Sequence, residues 1–215
     1  KFNIITGFRF EDNKTSYTSY HGQSTVYPHF NSMGSDTVSN HIRKNSYSLP
    51  ALLLKYQPLN WLTLRYANTK TLTRPNYSDI IPLYNISGMN RTVIYRNPFL
   101  EPGVSKNHDY VISFNNKYLG LLSLSYFTKH IEGLIFSSGQ RVIEDPNEYD
   151  LPEFTKYYMI NDYKTNNQYN TSLKGLELDF QTRFWYLPSF LRGLVFNTNY
   201  TITKSRVRYP RTVIE

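Results

Sequence analysis

The feature that most restricts this chain is a strict two-residue rhythm, clearest in residues 175–184, where Leu176, Leu178, Phe180 and Phe184 alternate with Glu177, Asp179, Gln181 and Arg183. Successive side chains of a strand point to opposite faces, so this run makes one greasy and one wet face. A helix would spread the same charges around its circumference.

The rhythm returns along the chain. Phe2, Ile4, Phe8 and Phe10 oppose Asn3, Arg9 and Glu11, and Leu52, Leu54, Leu62 and Leu64 oppose Lys55, Arg65 and Thr69. Tyr110, Ile112 and Phe114 oppose Asp109, Ser113 and Asn115, while Leu122, Leu124 and Tyr126 oppose Ser123 and Ser125. Near the end, Leu194, Phe196, Tyr200 and Ile202 oppose Asn197, Asn199 and Thr203. About seven strands are predicted, with the even-numbered apolar residues sharing one face.

Connection lengths narrow the fold further. Three connections are tight, at residues 57–60, 116–119 and 186–192, and between them lie long polar stretches at 22–47, 75–107 and 138–170. Short turns on one side and long loops on the other mark an outer-membrane barrel. Aromatic residues flank the turns: Tyr56 and Trp61 the first, Tyr118 in the second, Trp185, Tyr186 and Phe190 around the third. Tyrosine and tryptophan favour the membrane interface because an apolar ring carries a polar group that still reaches water. The expected fold class is all-β, a transmembrane antiparallel β-barrel of which this chain supplies about seven strands. An open strand edge in lipid leaves backbone groups unsatisfied, and bacterial single-chain barrels have even strand numbers. Residues 1–215 are therefore expected to form a segment of a larger barrel domain.

Other classes are less compatible. The densest apolar run, residues 119–124, is broken by Gly120 and Ser123 and falls far short of the roughly 20 residues a membrane helix needs. Mean hydropathy of −0.52 does not decide the matter, because a barrel strand shows lipid only every second residue. The absence of cysteine suits an oxidising compartment. No leader segment is recognisable from Lys1, as expected if one has been removed or the chain is a fragment. The formal charge of +8 comes from scattered residues such as Lys44, Lys70, Arg91, Lys129, Arg183 and Lys204, so no nucleic-acid partner is expected. A basic exterior fits anionic lipopolysaccharide or an anionic substrate.

Catalytic chemistry is not expected either. His21, His29, His41, His108 and His130 show no metal-ligand spacing, and no serine stands in a nucleophile turn. Glu144, Asp145, Glu148 and Asp150 make an acidic loop without the spaced ligands and glycine of a calcium site. Tyr84, Arg91, Tyr95 and Arg96 mix aromatic and cationic groups suited to an anionic or ring-bearing solute, with packing of the loop as their structural role. No catalytic, cofactor-binding or metal-binding residue is assigned, and the substrate-binding residues are unknown.

At this point a family resemblance enters. Leu49-Pro50-Ala51-Leu52-Leu53-Leu54-Lys55-Tyr56, a short turn, Leu62-Thr63-Leu64-Arg65-Tyr66-Ala67 and then Thr71-Leu72-Thr73-Arg74-Pro75-Asn76-Tyr77 resemble the mid-barrel signature of TonB-dependent receptors. The likeness continues through Asn97-Pro98-Phe99-Leu100-Glu101-Pro102, Ser105, Asp109-Tyr110, Phe127-Thr128-Lys129-His130-Ile131 and Lys174-Gly175-Leu176-Glu177. Gly103-Val104 and His108 depart from the usual pattern.

The resemblance implies a barrel of about 22 strands with a plugged lumen, crossing the bacterial cell outer membrane many times. It implies import of a scarce nutrient such as a siderophore, glycan or peptide. The implied partners are TonB and its inner-membrane energising complex, acting through a plug domain outside this sequence. The surrounding lipid and lipopolysaccharide and a small-molecule or oligomeric nutrient are also implied, with room for a surface lipoprotein. A passive porin-like barrel and a soluble β-sandwich binding or adhesion module remain as alternatives.

Overall fold

The structure is a computed structural model that describes residues 1–21, 37–81, 84–149 and 151–210, with backbone alone at 19–21 and 37–41. Its strands are β1 (Phe2–His21), β2 (Thr37–Leu59), β3 (Leu62–Thr73), β4 (Tyr84–Ser87), β5 (Thr92–Tyr95), β6 (Gly103–Asn116) and β7 (Gly120–Glu132). Then follow β8 (Ile135–Ser137), β9 (Arg141–Val142), β10 (Met159–Asn161), β11 (Lys164–Asn166), β12 (Thr171–Arg183) and β13 (Val195–Arg206). One short helix, α1 (Tyr77–Ile80), follows Pro75 and Asn76.

Seven of these form one antiparallel sheet in the order β1-β2-β3-β6-β7-β12-β13, each strand beside the next long strand of the chain. They are the seven expected from the alternation. Their register explains why the alternation is there. Phe2, Tyr56, Leu64, Ile112, Leu124, Leu178 and Tyr200 stand opposite one another in a single row across the sheet. The next row on the same face is Ile4, Leu54, Tyr66, Tyr110, Tyr126, Leu176 and Ile202. Between them on the opposite face run Asn3, Lys55, Arg65, Val111, Ser125, Glu177 and Thr201. A slip of one residue in any strand would mix the two faces.

The two faces also differ in crowding. Asn107, Ser113 and Thr171, at odd positions, are 7%, 6% and 5% exposed, whereas the even-numbered Leu124 and Leu176 keep 45% and 47%; Thr182, 6% exposed beside the third tight turn, is an even-numbered exception. Side chains crowd on the concave side of a curved sheet, so the polar face is the inner one and the apolar face the outer one. No second sheet covers the apolar rows among the described residues, which removes the β-sandwich alternative. The outer edges of β1 and β13 carry no partner strand among the described residues, as expected for an arc of a larger wall.

The outward apolar run does not stay at one level. On β1 it is Phe2, Ile4, Phe8 and Phe10 around Thr6, and at β13 it is Leu194, Phe196, Tyr200 and Ile202 around Thr198. Yet the register places Thr6 in the row of Lys204, six residues beyond Thr198.

Two boundaries differ from expectation. Strands β1 and β2 pair without interruption from Phe2↔Tyr56 to His21↔Thr37, so residues 37–47 are strand and not loop. Likewise β6 begins at Gly103, well before the Asp109 at which its alternation becomes readable. Beyond the apolar rows both faces carry polar residues, so the backbone ladder continues where no hydrophobic period marks it.

The three tight connections lie at the same end of the sheet. The first contains an irregularity between Tyr56 and Leu59, where Pro58 has no N–H to give to a ladder. The second joins β6 to β7, and the third passes through a 3-10 turn at Ser189–Gly193.

Candidate functional site

The apolar core of the described residues is not in the sheet. Val93, Ile143, Tyr149, Leu151 and Ile160 form a buried cluster inside the two long connections that leave β3 and β7, with Tyr84, Ile86, Tyr95, Tyr158 and Tyr163 packed against it. These connections are expected as polar loops, and they instead build a small folded unit. Its sheet has the order β4-β5-β10-β9, and β10 pairs parallel to β5 with Met159 opposite Thr92. Strands of two to four residues carry too short a pattern to be read from sequence.

The two connections are stitched by polar contacts far apart in the chain. Asp79, 5% exposed, accepts from Lys164 Nζ at 2.9 Å through each carboxylate oxygen, and Arg96 stands 3.7 Å away. A carboxylate this deep needs a counter-charge to offset its lost hydration. Asn97 Nδ2 donates to the Lys164 carbonyl, and the Asn97 side-chain oxygen accepts from the Phe99 N–H. Asn166 pairs both ways with the backbone of Glu101, accepting from its N–H and donating to its carbonyl, each at 2.8 Å. Asn167 donates to the Arg208 carbonyl at 2.7 Å, tying the second connection to the end of β13.

The wall holds this unit from below. Arg43, on β2, donates to the carbonyls of Pro98 and Leu100, and Leu100 is fully buried. The Asn97-Pro98-Phe99-Leu100-Glu101-Pro102 motif is thus the clamp where the first connection returns to the wall. Arg74, which opens that connection, is bonded to Glu11 on β1, and Glu11 also meets Arg9 at 2.8 Å.

Of the mixed aromatic and cationic group, Tyr84 and Tyr95 pack on the buried cluster, Tyr95 edge-on to Tyr149 at 5.3 Å. Arg91 is exposed in the turn between β4 and β5 with φ of 50°, and Arg96 serves Asp79. These four do not converge on one pocket. In the acidic loop, the Asp145 carboxylate accepts from the Asn147 backbone and side chain, Glu144 and Glu148 are exposed, and Asp150 lies outside the described residues. His29 and the side chains of His21 and His41 also lie outside them. No metal-holding group of histidine and carboxylates occurs among the described residues. Burial raises the pKa of Tyr149 and Tyr163, against the opposing influence of Arg141, whose guanidinium lies 5.7 and 5.8 Å from the two rings.

On the inner face, Arg9, Glu11, Arg65, Glu177, Asp179 and Arg183 all occupy odd positions, as the alternation requires. That face is not uniformly charged. Phe127 lies on it, over Gly175, where an added Cβ would come within 2.6 Å of the ring. The arrangement is a wall whose inner face carries side chains of both signs, with a small packed unit bonded to it through Arg43. Such a surface can hold a polar occupant and present a binding face.

The chain has recognisable relatives. A family model described as TonB dependent receptor-like, beta-barrel, matches residues 1–213. Among solved structures, a double mutant of the Serratia marcescens hemophore receptor HasR, in complex with its hemophore HasA and heme, superposes with a TM-score of 0.51 at 16% identity. The match covers 84% of this chain and 29% of that one. A double mutant of the ferric enterobactin receptor PfeA from Pseudomonas aeruginosa gives a TM-score of 0.53 at 15% identity, covering 94% of this chain and 33% of that one. At such identities the likeness is one of fold, and the chain spans less than a third of the first receptor's length and a third of the second's. No curated protein matches the sequence.

Proposed function

This chain belongs to the TonB-dependent receptor β-barrel family, matched over residues 1–213, and from that premise we propose that it is one arc of an outer-membrane importer of a scarce nutrient. All of residues 1–215 belong, in this reading, to the barrel domain, with the plug and the remaining strands of a barrel of about 22 strands outside them. The family is one of receptors and transporters, and the reading involves no catalysis.

The observation that carries the proposal is the two-faced wall. Two complete rows of apolar residues cross all seven strands on the uncovered face, while the opposite face presents Lys55, Arg65, Glu177 and Asp179. The first face suits lipid and the second suits a wet lumen occupied by a polar plug. Lys55 and Arg65 stand directly opposite each other with no carboxylate partner among the described residues, an unfavourable like-charge pair that an acidic plug residue would relieve. The folded unit on the loop side, with its own buried cluster, would supply a platform for nutrient capture or for docking a surface lipoprotein. TonB would then pull on the plug, drawing on the inner-membrane proton gradient.

A passive porin-like barrel is the second reading, since it would share the same wall. Full-length protein in liposomes separates the two. A plugged importer leaves the vesicles impermeable to small sugars, and nutrient accumulation by cells carrying it stops when TonB is deleted. Osmotic swelling of the liposomes, with uptake indifferent to TonB, would replace the importer with the porin.

A further inference from the structure

Above the two apolar rows, on the same outer face, the composition changes abruptly. The next outward row holds Asn68, His108, Thr128, Lys174 and Lys204 on β3 through β13, and the one beyond holds Lys70, Lys106, His130, Ser172 and Arg206. These ten positions carry four lysines, one arginine, two histidines and no carboxylate. One acidic group stands just beyond, Glu132, and it accepts from Lys106 Nζ at 2.6 Å. His108 is engaged by the Tyr66 hydroxyl at 3.0 Å. Lys174, Lys204 and Arg206 have no ion pair among the described residues.

These three cations surround an open cleft of about 350 Å³ on β7, β12 and β13, lined also by Tyr126, Thr128, His130 and Ser172. The cleft lies on the side of the apolar band away from the three tight turns, beside the long connections. In the proposed orientation that is the outer leaflet, at the level where acyl chains give way to headgroups.

We propose that this cleft is a binding site for a phosphorylated lipid headgroup of the outer leaflet. The proposal rests on the reading of the chain as an outer-membrane wall, although not on whether that wall belongs to an importer or a porin. Charge complementarity and continuity with the apolar band both favour a lipid over a soluble anion. A headgroup phosphate can meet Lys174, Lys204 and Arg206 while its acyl chains lie along Leu176, Leu178, Tyr200 and Ile202 directly below. The Thr128 and Ser172 hydroxyls and the His130 ring can supply further hydrogen bonds to phosphate oxygens. A free phosphate would gain only the first set of contacts. Without a bound anion, Lys174 directly opposite Lys204 is a like-charge pair that disfavours the sheet.

The test uses full-length protein in detergent and measures retention of bisphosphorylated lipid A by native mass spectrometry. Lys174→Gln, Lys204→Gln and Arg206→Gln are made singly and combined, with Lys55→Gln on the inner face as the comparison for each single charge removed. Each Lys or Arg near an anionic surface contributes about fivefold, so the triple variant should lose lipid A affinity by about a hundredfold while Lys55→Gln retains it. Heat-modifiable gel mobility checks that each variant remains a folded barrel. For a triple variant that does not fold, the arginine-retaining double variant at the two lysines is read the same way. Dephosphorylated lipid A should bind to the unaltered protein as weakly as lipid A binds to the triple variant, and inorganic phosphate at millimolar concentration should not displace the lipid. Equal lipid A retention by folded variant and parent overturns the site. Displacement by inorganic phosphate alone overturns the lipid as occupant. Neither outcome bears on TonB dependence, which the uptake experiment reads separately.

Discussion

The indole N–H of Trp185 donates to the backbone carbonyl of Lys117 at 3.0 Å, across 68 residues of sequence. It joins the second tight turn to the third. Tyr118 stacks on the Trp185 ring with centroids 5.6 Å apart, and the Lys117 ammonium lies 4.8 Å from the same ring. Two turns that would each be free loops become one aromatic clasp at the proposed periplasmic rim. Trp185→Phe keeps the ring but removes the donor, and should lower stability by about 1 kcal/mol, whereas Trp185→Ala should cost more by losing the stack as well. Urea unfolding of the full-length barrel in detergent or lipid measures both. If Trp185→Phe costs nothing, the hydrogen bond contributes nothing, and if Phe and Ala cost the same, the stack contributes nothing.

The outer rows predict a sharp asymmetry of tolerance. Leu178 stands between Leu124 and Tyr200 on the apolar face, so Leu178→Arg should cost about 2 to 4 kcal/mol near the bilayer midplane. Gln181, on the inner face, should accept serine at a cost within about 0.5 kcal/mol. A folding titration into lipid vesicles that found the two substitutions equally tolerated would reverse the assignment of faces.

Gly175 leaves no room for a side chain on the inner face of the wall. A Cβ there would lie 2.6 Å from the Phe127 ring and 2.7 Å from the Ile202 carbonyl oxygen. Gly175→Ala should therefore destabilise by about 1 to 3 kcal/mol through overpacking. Phe127→Ala relieves the ring contact but not the carbonyl one, so the two substitutions should couple with only partial rescue. A double-mutant cycle giving strict additivity would show that the ring does not press on Gly175.

The loop unit depends on Asp79. Replacing it with alanine strands Lys164, which is partly exposed, and removes two charged hydrogen bonds, at a cost of about 1.5 to 3 kcal/mol. The loss should be local, because the wall strands keep their ladder. Limited proteolysis on intact cells should begin to cut within residues 84–100 or 135–166 while heat-modifiable mobility of the barrel stays unchanged. Resistance to protease equal to the parent would mean that the buried apolar cluster alone holds the unit.

Sidedness follows from the common end of the three turns. Cysteine at Ser87 or Asn147 should react with a membrane-impermeant thiol reagent on intact cells, and cysteine at Asn60 or Ser189 only after the outer membrane is breached. Ser32 serves the same test in the first long connection, although it lies outside the described residues. Labelling at the turn sites on intact cells would invert the topology.

The wall is readable in the sequence because a two-faced sheet imposes a period: Leu176, Leu178 and Phe180 share one face, and nothing but a strand does that with Glu177 and Asp179 between them. Once the strands leave the apolar zone the constraint lapses, which is why the paired segment 37–47 and the start of β6 at Gly103 carried no readable signal. The loop unit was hidden for a different reason. Val93, Ile143 and Ile160 sit in strands or turns too short for a period, and the Asp79–Lys164 pair joins residues 85 apart, a relation with no local trace. For Tyr84 and Tyr95 the sequence offers both solute contact and loop packing, because rings near cations suit either, and packing is what they make, Tyr84 and Tyr95 on the buried cluster and Tyr95 against Tyr149 and Tyr163.

The displacement between the two Thr-centred apolar runs has a geometric meaning. From β1 to β13 the register crosses six strand gaps, about 29 Å at 4.8 Å each, and over that distance the greasy run slides six residues, about 20 Å along the strand. A membrane is flat, so the strands must lean to keep that run level. The ratio sets the lean at about 35°, at the lower edge of the range for membrane barrels. It also fixes the stagger at about one residue per strand, the quantity that determines how wide a closed cylinder of given strand number becomes. Two threonines, each centred in a greasy run on an edge strand of this arc, thus carry the pitch of the whole cylinder.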